Sequence, residues 1–278
     1  MSNLAIKNAH PRDAHISFDE PTHVYTINGS SKGIISVTKF LGLFHAKFDA
    51  DKVIRNMKAS PKWPDSAYFG MTDAAIKKQW TDNGSQASGA GTNLHLAIEQ
   101  FLDGQELTVS TGSSTPSGQT NHPSDGRMIT DRSVLDTKEW SMFLDFWRKH
   151  EPDLEPYRLE WPVFSEAHRL AGGIDAVFRR RSDGAFFIYD WKRCKKLETE
   201  NRFESCLDPI SHLPNTNYWH YTLQLNVYRW ILEHQYGMVI KDMFLIVLHP
   251  NNETFLKKRL NRMDEEVEAM MATRLISH

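Results

Sequence analysis

The chain has 278 residues, 40% of them hydrophobic, which suits one large domain with a sizeable core. A net charge of −2 and an isoelectric point near 6.7 do not indicate a strongly basic nucleic-acid-binding protein. The two cysteines, Cys194 and Cys206, fit a reducing compartment and exclude a four-cysteine zinc or iron–sulphur site within this chain. No signal peptide or membrane-spanning apolar run is evident, so we expect a soluble, intracellular protein without a membrane partner.

Residues 1–84 are predicted to form a hairpin and helices packed on the core. The β-rich HVYTI, the turn residues NGSSKG and the apolar IISV make the predicted hairpin. Ser36 or Thr38 is expected to cap the helix that follows. Residues 51–80 are predicted to be mostly helical, with a break at SPKWPD.

Residues 85–278 are predicted to form the core, beginning with a helix that starts near Thr92. His95 and Glu99 lie four residues apart and so share one face of that helix. Residues 105–135 are rich in Ser, Thr, Gly and Pro, which predicts a flexible insertion.

The apolar pattern beyond this insertion predicts the order helix, three strands, helix, strand, followed by a last helix. DTKEWSMFLDFWRKH is amphipathic with a helical period. The three strands are predicted at residues 157–164, 170–178 and 185–191, and Asp183-Gly184 is a strong hairpin signal between the last two. HYTLQLNVYRWILEHQ is the next predicted helix, and MFLIVLH is a buried strand.

Two acids and a lysine occupy this predicted hairpin. Asp175 and Asp190 are nearly symmetric about the turn, so they are predicted to be cross-strand neighbours, within a diagonal step. Lys192 lies two residues beyond Asp190 and faces the same side. Adjacent carboxylates repel unless a divalent cation lies between them. Carboxylates, a cation and an ammonium on one face suit phosphodiester cleavage by a metal-activated water.

Four motifs carry a family resemblance. They are Gly172-Gly173-Ile174-Asp175, Asp190-Trp191-Lys192, the pair Gln224 and Tyr228, and Gly91-Thr92-x-x-His95 followed by Ile98-Glu99. Together they resemble the PD-(D/E)XK nuclease superfamily, in its RecB-like exonuclease branch, which includes mitochondrial genome maintenance exonucleases and phage-type exonucleases. The resemblance covers residues 85–250. It implies an α/β, restriction-endonuclease-like αβββαβ core, with a mixed central sheet flanked by helices.

The resemblance also implies roles for individual residues. Asp175, Asp190 and Lys192 would be catalytic. The metal ligands would be His95, Asp175, Asp190 and the backbone carbonyl of Trp191. Gln224 and Tyr228 would brace the lysine or contact the nucleic-acid backbone. Apart from the resemblance, the basic residues Arg193, Lys195 and Lys196 directly follow Lys192 and are expected to contact substrate phosphates. Glu99 and Glu160 are candidates for positions behind the ligands. The implied cofactor is Mg²⁺ or Mn²⁺, as one ion or two, with no iron–sulphur cluster.

Several alternatives stay open on the sequence alone. His95 could be a satisfied half-buried histidine, Glu99 a solvated helix acid, and Tyr228 a core residue. Glu160 could point into the site or outward. We expect a DNA exonuclease acting on DNA that has a free end or is single-stranded. The alternatives are an RNA-directed or endonucleolytic member of the superfamily, or a non-catalytic nucleic-acid-binding module.

Overall fold

A computed structural model describes residues 2–105 and 132–275 of the chain. The helices are α1 (Asn3–Lys7), α2 (Val37–Leu41), α3 (Ala50–Ala59), α4 (Asp73–Leu102), α5 (Lys138–His150), α6 (Asn217–Gln235) and α7 (Asp264–Ala272). The strands are β1 (Ile16–Asp19), β2 (Val24–Ile27), β3 (Ile35–Ser36), β4 (Leu154–Ser165), β5 (Leu170–Arg180), β6 (Phe186–Lys192), β7 (Ile240–Val247) and β8 (Leu256–Arg259).

Within the described residues, six strands form the mixed central sheet, in which β5 pairs with the most neighbours. The order runs β3-β5-β6-β7-β8, and β4 also pairs with β5. β5 is antiparallel to both β4 and β6, whereas β6 is parallel to β7. The parallel pair needs a crossover, and α6 supplies it between β6 and β7.

Each face of the sheet is covered by helices with its own hydrophobic cluster. On one face, α2, α6 and α7 bury side chains such as Phe40, Leu223 and Met270. On the other, α4 and α5 bury Ile98 and Phe143. In the middle of β5, Ala176 and Phe178 belong to the second cluster and Val177 to the first, because successive side chains point to opposite faces. The predicted α/β class, with a mixed sheet flanked by helices, is confirmed.

The start of α4 differs from its prediction. The helix begins at Asp73, where Thr72 accepts a hydrogen bond from the backbone N–H of Ala75, and not near Thr92. The glycines at 84, 89 and 91 misled the prediction, because glycine is a poor helix former. Packing overrides that preference, since Ile76 of α4 and Ile54 of α3 are both buried in this region.

The N-terminal hairpin also differs in its pairing. β2, which contains most of HVYTI, pairs with β1. The IISV segment instead forms β3, which is parallel to β5. A strand of two residues carries too little local pattern to specify its partner, so tertiary packing decides it. Ser36 caps α2 as predicted, by accepting from the backbone N–H of Lys39.

The predicted 105–135 insertion falls largely on residues 106–131, outside the described parts of the chain. Its last residues belong to a short 3-10 helix, Arg132–Asp136, that leads into α5. Within the described ranges, every helix is too short or too polar to cross a lipid bilayer.

A buried carboxylate fastens the N-terminal segment to the C-terminal end of α4. Asp103 accepts hydrogen bonds from the Ser2 hydroxyl at 2.7 Å, the Asn3 N–H at 2.8 Å and the Leu4 N–H at 2.9 Å. Burial alone would raise the pKa of Asp103, but these hydrogen bonds hold it below its ordinary value. The ionised carboxylate therefore stabilises the docked segment.

We expect Asp103→Ala to lower the free energy of unfolding at pH 7 by about 1–3 kcal/mol, because several partly buried donors lose their charged acceptor. A folded-state pKa below the unfolded one gives stability that is present above the unfolded value and lost as the pH falls through the folded value. The difference in the free energy of unfolding between wild type and Asp103→Ala should therefore be smaller at pH 3 than at pH 7. Denaturant unfolding at both pH values measures it, with exposed Asp82→Ala on the same helix as control. Equal losses in the two variants would contradict this role.

Candidate active site

The candidate site lies at a gap along one edge of β5. On this edge β3 pairs with residues 170–171 and β6 pairs with residues 176–179. Gly172, Gly173, Ile174 and Asp175 lie between these two partners. On the opposite edge, β4 covers β5 along nearly all its length. The gap therefore exposes one side of a strand that is otherwise held firmly in the sheet.

Asp175 and Asp190 stand where the β5–β6 ladder ends. Ala176 and Tyr189 form the last pair, so the two acids are the next residues opposite each other. This register agrees with the predicted cross-strand arrangement. In place of a further ladder bond, the backbone N–H of Trp191 donates to Asp175 Oδ2 at 3.0 Å. That hydrogen bond fixes the Asp175 carboxylate at the mouth of the gap.

Lys192 lies on the same face of β6 as Asp190. Both residues stay paired with β7, opposite Val247 and Leu245 respectively, so their backbone is fixed. The Lys192 ammonium lies 2.6 Å from Asp190 Oδ2 and forms an ion pair with it. The Asp190 side chain is 4% exposed and that of Lys192 is 17% exposed. The pair is therefore largely withdrawn from water.

His95 reaches the gap from α4. Its Nε2 lies 2.9 Å from the carbonyl oxygen of Trp191, and its Nδ1 lies 3.4 Å from Asp175 Oδ2. A carbonyl only accepts, so Nε2 carries the proton and Nδ1 presents a lone pair toward the carboxylate. Burial, and then the charge of Lys192, lower the pKa of His95 to about 4. The ring is neutral at pH 7, the form that binds metals.

Glu160 of β4 joins His95 and Asp175 in a group that could hold a metal ion. One ligand atom from each of the three lies within 4.8 Å of the others. Glu160 has a φ of 42°, which is rare for a residue other than glycine. Such backbone strain costs about 1–3 kcal/mol and clusters at functional sites. Of the two orientations open for Glu160, the structure has the one that points into the site.

The electrostatics of the two acids follow from burial. Burial, and then the charge of Asp175, raise the pKa of Asp190 to about 6, although Lys192 opposes the shift. Burial also raises the pKa of Asp175, again against the influence of Lys192. Burial would lower the pKa of Lys192, but the two carboxylates outweigh it and raise that pKa. Lys192 therefore stays protonated throughout the physiological range.

Gln224 and Tyr228 lie one turn apart on α6. The Gln224 side chain hydrogen-bonds Tyr228, whose pKa burial raises far above its ordinary value, so the phenol stays neutral. Tyr228 is 4% exposed and packs against the backbone of Gly172. It is thus a core residue that also lies within electrostatic reach of Asp175 and Asp190.

The structure adds two tyrosines that the motifs did not indicate. The Lys192 ammonium lies 4.9 Å from the ring centroid of Tyr221. Tyr221 precedes Gln224 by three residues, so helical periodicity could have found it. Tyr25, on β2, influences the pKa of Tyr228 and approaches Gly173. No sequence signal indicates Tyr25, since only tertiary packing brings β2 to the gap.

Of the remaining predicted residues, Arg193 and Lys196 form ion pairs with residues outside this centre. Arg193 forms a 2.8 Å ion pair with the buried Glu139 of α5, and Lys196 forms an exposed one with Glu198. Lys195 is exposed. Glu99, one turn beyond His95, is partly exposed and does not belong to the group of three potential ligands.

Gly172→Ala should destabilise the protein, because the added Cβ would lie 2.8 Å from Tyr228 Cε1 and 3.1 Å from Val37 Cγ2. We expect a loss of about 1–3 kcal/mol in the free energy of unfolding, typical of overpacking. Gly173→Ala is the matched control, since its nearest neighbour, the Tyr25 hydroxyl, is 3.7 Å away. Denaturant unfolding compares the two variants, and equal stabilities would contradict the close approach of Tyr228.

Comparison with known proteins leaves the family open. No known family profile matches the sequence, and no curated protein does. Among solved structures, one similar chain is titled "Crystal structure of SSO0001", with 14% sequence identity and a TM-score of 0.27. The match covers 51% of this chain and 58% of that one. A likeness of this extent carries no argument about fold or function.

Proposed function

We propose that this protein is a metal-dependent nuclease that hydrolyses phosphodiester bonds, acting on DNA as an exonuclease. The observation that carries the proposal is the convergence of Asp175, Asp190, Lys192 and His95 on one gap in the sheet. Two largely desolvated carboxylates on neighbouring strands lie there beside the Lys192 ammonium and a neutral imidazole. Such a centre carries excess negative charge, which a divalent cation would compensate.

The donor set fits a hard divalent cation. His95 Nδ1 and Asp175 Oδ2 are both acceptors and lie 3.4 Å apart. Ligands at about 2.1 Å from one octahedral ion are themselves about 3 Å apart, so this pair needs little adjustment. Glu160 and the Trp191 carbonyl would supply further oxygens. Oxygen ligands suit Mg²⁺ and the imidazole makes Mn²⁺ a good substitute, as one ion or two.

When bound, the ion would lower the pKa of a coordinated water and polarise the phosphate. The chain's own residues complete the chemistry. Lys192 keeps its proton and so can orient the attacking water and offset charge that develops on the phosphate. Asp190 holds the Lys192 ammonium at 2.6 Å, and the Trp191 N–H holds the Asp175 carboxylate. These supports reduce the reorganisation needed during the reaction.

Substitution of the central residues tests the proposal directly. Asp175→Asn, Asp190→Asn and Lys192→Met should each lower metal-dependent cleavage by about 10²–10³-fold or more, since each removes charge that acts in the transition state. Asp183→Asn, in the exposed turn between β5 and β6, is the matched control and should cleave like wild type. Circular dichroism checks that every variant is folded.

The substrates for this test are end-labelled single-stranded, double-stranded and circular DNA, and RNA, with Mg²⁺, Mn²⁺ or EDTA. Degraded linear strands beside intact circles identify a DNA exonuclease. Cut circles would make the protein an endonuclease, and a preference for RNA would change the substrate. Metal-dependent cleavage retained in all three variants would overturn the assignment. If wild type cleaves none of these substrates, the protein is a non-catalytic nucleic-acid-binding module instead.

Metal affinity should depend on pH through Asp190. In the metal-free protein the pKa of Asp190 is about 6, so below pH 6 the carboxyl gains a proton and the site loses a negative charge. Cation affinity should therefore fall as the pH drops below 6, by up to about tenfold per pH unit. Calorimetric Mn²⁺ titrations between pH 5 and pH 8 measure this. Asp190→Asn should bind more weakly and with a flatter profile, whereas a flat wild-type profile would contradict the expectation.

A further inference from the structure

Two histidines are in ring contact beside the candidate site without belonging to its metal-binding group. His45 follows α2, and His220 lies in the first turns of α6. Their ring centroids are 4.5 Å apart and their planes are inclined at 50°. The backbone on both sides of His45 is held by the segment that precedes α6, because Phe44 accepts from Leu207 and Ala46 accepts from Asn215.

His45 has a nitrogen whose hydrogen-bonding capacity is unused. The side chain is 9% exposed, and its Nδ1 lies 2.9 Å from the carbonyl oxygen of Leu41. Nδ1 must carry the proton of the neutral ring, because a carbonyl only accepts. Nε2 is then a buried acceptor, and it has no hydrogen-bond partner within the part of the chain that the structure describes. Unsatisfied buried polar groups are few in folded proteins, so this acceptor calls for a physical explanation.

His220 links this acceptor to the candidate site. His220 directly precedes Tyr221, whose ring lies against the Lys192 ammonium. Gln224 is four residues after His220 on α6, so these two side chains share one face of the helix. Burial lowers the pKa of His220 to about 4, and the other causes of this shift are His45 and Lys192. The described groups that influence His220 are therefore basic, and no carboxylate is among them. An anion that arrives beside His220 would offset these basic neighbours and favour protonation of the ring.

We propose that His220 contacts a phosphate group of the bound nucleic-acid strand beside the scissile bond, and takes up one proton from solvent as it does so. The doubly protonated ring donates one N–H to the phosphate. The other N–H turns to Nε2 of His45, which gives that buried acceptor its partner. His220 is thus a substrate-binding residue, and His45 is a positioning residue behind it. This inference rests on the proposed nuclease function.

A phosphate fits this pair better than a metal ion does. Two imidazoles alone make a weak site, and a stable transition-metal site needs three or four protein ligands. Among the described residues, the group of three possible ligands that lie close enough together is that of His95, Glu160 and Asp175, not one at His220. Charge-assisted hydrogen bonds to phosphate, by contrast, need only one protonated imidazole.

The test measures binding of a single-stranded oligodeoxynucleotide in EDTA, so that its outcome does not depend on cleavage. His220→Gln should weaken binding about tenfold at pH 6, the effect of one charge-assisted hydrogen bond. His234→Gln is the control, because it lies on the same helix, is half-exposed and stacks on Trp230. Calorimetry in two buffers of different ionisation enthalpy measures the protons taken up on binding. Wild type should take up more protons than His220→Gln, by at most one per oligonucleotide bound.

His45→Phe tests the positioning role. It retains His220 but removes the acceptor, so proton uptake should fall toward that of His220→Gln, while thermal unfolding checks that the variant is folded. Oligonucleotides with and without a 5′ phosphate identify the source of the phosphate. If His220→Gln loses affinity only for the 5′-phosphorylated strand, His220 contacts the terminal phosphate. If it loses affinity equally for both strands, His220 contacts a phosphodiester. Unchanged affinity in His220→Gln, or proton uptake equal to wild type, overturns the proposal even if the protein cleaves DNA.

Discussion

The hydrogen bond from the Trp191 backbone N–H to the Asp175 carboxylate is the interaction on which the rest of the site depends. β5 shares one edge with two partners, β3 at its start and β6 further along, and four residues between them face neither. At this gap a side chain replaces a ladder bond. One carboxylate is thereby fixed, and the Trp191 carbonyl remains available to His95. The strands separate without leaving the sheet, because β4 and β7 hold their outer edges.

The gap also lets both faces of the sheet contribute to one centre. Asp190 lies on the face covered by α6, since Ile188, two residues earlier, belongs to that cluster. Asp175 and Asp190 both lie within electrostatic reach of Tyr228 on α6. His95 belongs to α4, whose neighbouring Leu94 and Ile98 are buried in the cluster on the opposite face. In a continuous sheet these groups would be separated by a layer of backbone. Here the imidazole reaches the carboxylate past the end of the ladder.

Burial gives this centre its chemical character. Two carboxylates and one ammonium are removed from most solvent, and desolvation is the largest cause of the shift in the pKa of Asp175 and of Asp190. The single ammonium cannot compensate two neighbouring carboxylates, so the site favours either a proton or a cation. Tyr228 covers the centre from the α6 side. Its ring packs so close to β5 that residue 172 must be glycine, because any Cβ there would clash with the ring.

The sequence by itself determined the order of the core helices and strands along the chain, the two acids with the lysine, and the register that sets the acids opposite each other. These features follow from local rules, because strand periodicity and the position of a hairpin turn determine which residues share a face and which lie opposite each other. The unbroken path of α4 through three glycines, the parallel pairing of β3 and the arrival of Tyr25 were decided by tertiary structure. So were the inward turn of Glu160 and the contact of His45 with His220. Each of these joins segments distant in the chain, and such contacts depend on packing and burial that no local pattern encodes.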